Sequence, residues 1–347
     1  MAAPGAARTA KAADGLYARW RDVEVALVAS GLAPAAVQVL QVLVVLGLSP
    51  LVSGFGSRVE ARLQGRRGPR LAQPYYDLAK LFRKQTLVPE GASWAFAAGP
   101  VVAFSCYLVV PLLIPVLTSY PLPLGYMGDI LGGGFLLALA SFCVSVAAAE
   151  TGDPYAQLGS SRAMTFGALI EPSILFVAFT VSLVTATDLP YAEAAAARHS
   201  AAQALRPAHL LAALAFFLVV LNDTGRIPVE SQGSTVEFGM IEEARTFEHS
   251  GPLLALLRWG AAMKQMILYV ILLDVFAAPW GLAGSGRPVP VLAAVGALVA
   301  KALALSAVFA VVDNSFSKLR LLKLTEFMAA AFVLAFLAVV SLFLGAG

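Results

Sequence analysis

Long apolar runs recur from one end of the 347-residue chain to the other, and they fix its solvent before any motif is read. Leu32 to Phe55 is the first. Trp94 to Thr118, Ile130 to Ala149, Met164 to Thr187, Ala208 to Leu221, Leu253 to Trp280, Val289 to Val312 and Phe327 to Leu344 follow. At ~1.5 Å per residue, about 20 residues of helix cross ~30 Å of hydrocarbon, and only the fifth run is plainly short of that. Lipid offers no partner to backbone N–H and C=O groups, so such runs must be helices. Composition agrees: 59% of residues are apolar, 13% are charged and the mean hydropathy is +0.79, whereas soluble domains carry about 25% charge. The expected fold is an all-α integral membrane protein of about eight transmembrane helices. It forms one domain over 32–347, behind an Ala-rich flexible tail, 1–31, that holds Arg8, Lys11, Arg19 and Arg21.

The net charge of +3 says little, but its distribution sets an orientation. The loop 56–93 carries Arg58, Arg62, Arg66, Arg67, Arg70, Lys80, Arg83 and Lys84. Same-side loops add Arg162, Arg226, Arg245, Lys318, Arg320 and Lys323. By the positive-inside rule this side is cytoplasmic and both termini lie outside. Cys106 and Cys143 sit in separate apolar runs, and His199, His209 and His249 are scattered, so no zinc, haem or iron-ligand spacing is present.

Two cytoplasmic loops interrupt the apolar pattern. In the first, Gly65 to Pro69 reads as a compact turn among basic residues. Tyr75 to Thr86 follows as an interfacial amphipathic helix, with Leu78, Leu81 and Phe82 on one face and Asp77, Lys80, Arg83 and Lys84 on another. Lipid anchoring and docking of a cytoplasmic partner both fit this pattern. The second loop, 222–251, holds Asp223, Glu230, Glu237, Glu242, Glu243 and Glu248. Val236 to Phe247 reads as a short helix closed by Gly251 and Pro252, with Arg245 placed to pair with Glu242 at i, i+3. Glu237 and Glu248 fall nearly on one face. Grouped acids of this kind share protons, although a solvated negative face has the same composition.

Ionisable residues within the spans are few. Glu150 ends the third span, Glu171 lies about two turns into the fourth with Pro172 beside it, and Lys264 and Lys301 fall near mid-span. Charge at such depth is costly unless it meets water or a partner, and it marks ion paths. Asp274, ten residues after Lys264, is too far along the helix to be its i, i+4 partner, so both lysines need partners elsewhere. A structural ion pair between helices would satisfy them equally well.

The stretch RLQGRRGP, followed by YYDLAKLFRKQ and Pro89, resembles the NADH dehydrogenase subunit 1 family, the membrane subunit at the junction of respiratory complex I. In the second loop Arg226, Pro228, Glu230, Glu237, Glu248, Ser250 and Gly251 match that family's skeleton, while the middle departs from its PFDLPEAE type of sequence. RIPVE, EFGMIEEA and GSSRAMTFGALIEP, with Arg162 and Glu171, are closer to the membrane subunit of formate hydrogenlyase and other energy-converting [NiFe] hydrogenases. The resemblance, from Leu32 to Phe343, implies a coupling subunit with no redox centre of its own in the inner membrane of a bacterium or archaeon. Hydrogenase-like large and small subunits and an iron-sulfur protein would carry the iron-sulfur clusters and the Ni-Fe centre, and antiporter-like membrane subunits would stand beside it.

By the same resemblance Arg62, Gln64, Arg66, Arg67, Gly68, Pro69, Asp77, Lys80 and Arg226 would face the redox module. Glu171, Glu230, Glu237, Glu242, Glu243, Glu248, Glu150 and Lys264 would form the proton path. In complex I this region lines the quinone cavity, and the altered second loop leaves quinone binding open. A complex I quinone-module subunit, a stand-alone ion transporter and a passive anchor remain as alternatives. The transporter lacks the paired broken helices that usually accompany it.

Overall fold

The computed structural model describes residues 34–125, 127–185, 187–199, 206–225, 241–315 and 321–344. Eleven helices are present among them: α1 Pro34–Leu63, α2 Gln73–Phe82, α3 Trp94–Leu113, α4 Ile130–Ala149, α5 Pro154–Thr185, α6 Pro190–His199, α7 Pro207–Asp223, α8 Glu242–Thr246, α9 Gly251–Ile271, α10 Pro288–Ser315 and α11 Leu321–Leu344. Leu272–Ala277 continues α9 as a π-helical turn. Among the described residues the only β pairing is a single bridge between Thr118 and Ala283, where two loops meet.

All eight apolar runs are helical. Seven helices are long and apolar enough to span a membrane, and α7, with 17 residues, is the shorter eighth. Helix α9 with its π turn is central: 72% of its most apolar stretch is buried, against 28–44% in the other spans. It packs on α1, α2, α3, α7 and α10, while α4 continues the bundle from α3, and α5 and α11 continue it from α7. The outer helices keep exposed apolar residues such as Leu43, Phe142 and Phe336 for lipid.

Several boundaries differ from the sequence reading. Helix α1 runs to Leu63, eight residues past Phe55, so Arg58 and Arg62 ride on its last turns and the first loop opens only after them. Helix α3 stops at Leu113, because Ile114 precedes Pro115 and takes an extended conformation. Buried glutamines of α1 serve this helix end: Gln41 Nε2 donates to the carbonyls of Pro111 (2.5 Å) and Ile114 (2.9 Å), and Gln38 Nε2 to that of Leu112 (3.0 Å). They satisfy carbonyls that a helix terminus leaves orphaned. Helix α5 starts at Pro154, ten residues before Met164, because Asp153 Oδ2 accepts the N–H of Ala156 and polar residues continue the helix outside the apolar run.

The acidic loop also differs. Among the described residues its helix spans only Glu242–Thr246, and Gly251–Pro252 opens α9 rather than closing α8. Proline without an N–H belongs in a first helical turn, which is the role it takes here. The 1–31 tail, Arg226, Glu230, Glu237, Lys318 and Arg320 lie outside the described residues.

Candidate functional site

The two charged loops meet in the fold. Gly65, at φ +72°, turns the chain after α1, and Gly68 lies so close to Arg58 that a Cβ would stand 3.0 Å from the Arg58 carbonyl oxygen. Helix α2 then lies across α1 and α9 with Leu78 buried and Asp77 and Lys80 exposed. Tyr75 Oη donates to the Gly47 carbonyl. Beyond α2, Leu87 N donates to Ser250 Oγ at 2.8 Å, and a Cβ on Gly251 would meet the Gln85 carbonyl oxygen at 2.6 Å. Arg62, Gln64, Arg66, Arg67 and Pro69 are exposed, so one surface carries the basic turn beside the end of the acidic loop.

A cavity of about 100 Å³ is walled by α4 and α5 and closed by the end of α7, by α8 and by Lys264 from the middle of α9. Among the described residues five charged side chains line it: Glu171, Asp223, Glu242, Arg245 and Lys264. Its volume admits several waters, and polar walls are what hold buried water.

Helix geometry explains why these residues gather. Lys264 lies thirteen residues into α9, about 20 Å along it, and its ammonium meets Asp223 at 2.5 Å. Asp223 is the last residue of α7. This short helix therefore ends against the middle of α9. A carboxylate at a helix C-terminus opposes the dipole, and the Lys264 ammonium compensates both. The lysine thus has its partner on another helix, as its mid-span position required. Arg245 of α8 pairs with Glu242, as the i, i+3 spacing predicts. Its Nη1 also donates to Ser145 Oγ of α4 at 3.0 Å. Helix α8 can approach because Gly159 of α5 has no side chain: a Cβ there would fall 2.5 Å from Ala244 Cβ. Although loss of solvent pushes the Glu242 carboxyl up, the Arg245 and Lys264 cations prevail and hold it below its ordinary value.

Glu171 is the odd member. Asp223 and Glu242 have cations, while Glu171 has no ion pair or hydrogen bond among the described residues. Its carboxyl folds back over Gly167, where a Cβ would stand 3.5 Å from Oε1. Among the described residues of the lining, three acids stand against two bases, and Glu171 is the acid without a cation, at a depth where charge is costly unless water or a proton reaches it.

Other candidates lie elsewhere. Glu150 caps the end of α4 in solvent, Glu243 is exposed, and Glu248 is not part of the cavity wall. Asp223 stands out in the sequence as an acid of the loop but not as a site residue; the demand of Lys264 for a partner is the signal that could have found it. Lys301 makes a structural pair with Asp274 at 2.7 Å and donates to the carbonyls of Ala278 (3.2 Å) and Trp280 (3.0 Å). Among the described residues no three His, Cys, Asp or Glu side chains converge as a metal site requires.

Formate hydrogenlyase subunit 4 of Escherichia coli is 30% identical over 311 residues, covering 87% of this chain and 97% of that protein. Hydrogenase-4 component C of Escherichia coli is 28% identical over 86% of this chain and 92% of that protein. A NADH-quinone oxidoreductase subunit of Nitratiruptor matches only 36% of the chain and 43% of its own length, at 29% identity. In fold, the chain superposes with a TM-score of 0.74 on a chain of the membrane-bound sulfane sulfur reductase, an archaeal respiratory membrane complex, at 22% identity, covering 88% of this chain and 100% of that one. The family profile of NADH dehydrogenase matches residues 36–344, and to that family the chain belongs.

Proposed function

We propose that the chain is the membrane coupling subunit of a complex I-like, membrane-bound [NiFe] hydrogenase of the formate hydrogenlyase type. It docks a cytoplasmic redox module on the surface formed by its two loops and begins a proton path in the acid-lined cavity. The observation that carries the protonic half is Glu171, an unmatched carboxylate in a water-sized cavity beside two ion pairs. A proton arriving at Glu171 removes the excess charge. A shift of the Lys264 ammonium toward Glu171 would instead release Asp223. The cluster can therefore exist in states that differ by one proton and one ion pair, and a change at the docked face can bias them through Glu242 and Arg245. The near-full coverage of the two hydrogenase-type relatives, 97% and 92% of their lengths, supports the hydrogenase branch. Partner subunits would carry the iron-sulfur clusters and the Ni-Fe centre, with antiporter-like subunits alongside. Arg226, Glu230 and Glu237 belong to the proposal through their motif.

A mild-detergent pull-down of the tagged chain tests the assembly. Nickel and iron with hydrogen evolution are expected. Iron without nickel, with NADH to quinone turnover, would return the chain to complex I, and a lone metal-free chain would leave a transporter. Glu171→Gln tests the relay in vesicles: redox turnover should persist with assembly intact while coupled proton movement falls by about tenfold or more. Wild-type proton movement in this variant would reject Glu171 as a relay.

A further inference from the structure

A second, smaller cavity of about 50 Å³ continues the line of the first across the bundle. On α4 the first cavity is lined from Ser141 back to Gly134 and the second from Leu137 to Ile130. On α5 the linings run from Ala163 to Leu175 and from Ile174 to Val181. Along α9 they pass from Lys264 to Leu268–Ile271 and then Asp274. The two cavities share Gly134, Leu137 and Ile174, a wall one side chain thick.

Two buried acids line the second cavity, in walls that are otherwise apolar. Glu193 of α6 is 0% exposed and Asp274 of the π turn 1%. Each keeps one carboxyl oxygen that is buried without a hydrogen-bond partner, Glu193 Oε2 and Asp274 Oδ2. The second oxygen of each is served: Glu193 Oε1 accepts from Ser182 Oγ at 2.9 Å, and Asp274 Oδ1 from Lys301. A buried, unsatisfied oxygen on a carboxylate is expensive, and two that face one cavity need an occupant. A metal ion wants a shell of several oxygens, which these walls do not offer. A proton needs only one.

We propose that Glu193 and Asp274 form a second proton-holding site, through which protons cross between the Glu171 cavity and the membrane face opposite the docking surface. The inference rests on the proton-coupling reading above and extends it from an entry cluster to a through-membrane path. Protonation of Asp274 breaks its pair with Lys301, whose ammonium keeps the Ala278 and Trp280 carbonyls as partners. Glu193 first releases its own proton at its own face, and transfer of the Asp274 proton through cavity water then refills Glu193 and restores the pair. Burial first, and then the Asp188 carboxylate, push the Glu193 carboxyl up to about 8 against the pull of Ser182, so it holds a proton at neutral pH and can still release it. His209 packs on Phe276, which lines this cavity, and Asp188 acts on Glu193 as Lys301 does on Asp274. The π turn gives the geometry its reason. An extra residue in one helical turn re-aims Asp274, and such turns favour functional positions.

The test uses the intact complex in membrane vesicles, driven by its own redox turnover and read by a pH-sensitive dye, together with infrared titration of the purified complex. Glu193→Gln should leave assembly and redox turnover in place, lower proton movement about tenfold or more, and remove one protonated-carboxyl band seen at neutral pH. Ser182→Ala should keep that band and shift its titration to higher pH, because the lost hydrogen bond stabilised the carboxylate. Gly134→Val, whose Cβ would meet Leu175 and Ile174 at an ordinary 3.6 and 3.8 Å, should fill the wall and block proton movement without touching any acid.

Loss in Glu171→Gln with wild-type proton movement in Glu193→Gln and Gly134→Val would overturn this inference and leave the coupling reading standing, the protons leaving sideways. Wild-type movement in all three would overturn both. An infrared band unchanged by Glu193→Gln, or translocation that follows sodium instead of pH, would also overturn it.

Discussion

His249 shows how far a single residue's surroundings depart from its composition. In the sequence it is one of three scattered histidines; in the fold it is 3% exposed and stacked on Phe96 at 4.4 Å between ring centroids, just ahead of α9. Burial lowers its pKa from 6.5 to about 4, so the folded protein holds it neutral. The unfolded chain protonates it as pH falls through 6.5, whereas the folded chain does so only near 4. Its contribution to stability is therefore full above pH 6.5 and lost as pH falls toward 4, by about 3 kcal/mol in all. His249→Phe keeps the stack and removes the titration. Thermal unfolding in detergent should show the variant less sensitive to acid than the wild type across that window, and equal sensitivity would assign the acid response to other groups. Residue scale is also where the sequence was least legible. Asp223 and Lys264 are 41 positions apart, and no local period joins them. The Arg245–Glu242 pair, three residues apart, was legible.

At the scale of elements, hydropathy located every span because lipid demands it, but it could not place helix ends that carry polar residues. Ten residues of α5 and eight of α1 were hidden in this way. Glycine marks the closest packing, and it too is silent in a hydropathy profile. A Cβ on Gly99 of α3 would stand 2.5 Å from Ala147 Cβ and 2.6 Å from the Cys143 carbonyl oxygen of α4. Gly99→Ala should force the two helices apart and cost about 1–3 kcal/mol. Gly47 of α1 makes the control, because nothing lies within 4 Å of its Cβ position. Gly47→Ala should be neutral or stabilising by about 0.5–1 kcal/mol, through the lower helix penalty of alanine. Unfolding midpoints of the two variants check the pair, and an undamaged Gly99→Ala would mean that the α3–α4 contact yields.

At the scale of the whole molecule, the proposed docking surface and the acid-lined cavity are built from different residues. The basic turn is exposed and is not part of the cavity wall, while the Ser250–Leu87 contact and the Gly251–Gln85 approach tie its loop to the element that ends the acidic stretch. The sequence motifs announced both stretches without showing that they share a surface, since that contact spans 163 positions. If the turn docks the redox module by charge, Arg66→Glu with Arg67→Glu should release that module and leave the chain folded, because exposed substitutions shift stability by only about 0.5 kcal/mol. The wild-type assembly should loosen as salt rises, since exposed charge pairs are screened within ~8–10 Å at ordinary ionic strength. Glu171→Gln should do the reverse, holding the module and losing the protons. Co-purification across a salt series, set beside the unfolding midpoint of each variant, reads the two roles apart. A double arginine variant that still binds its module at every salt concentration would move the docking face away from the turn, and joint loss of module and protons in Glu171→Gln would show that the cavity holds the interface together.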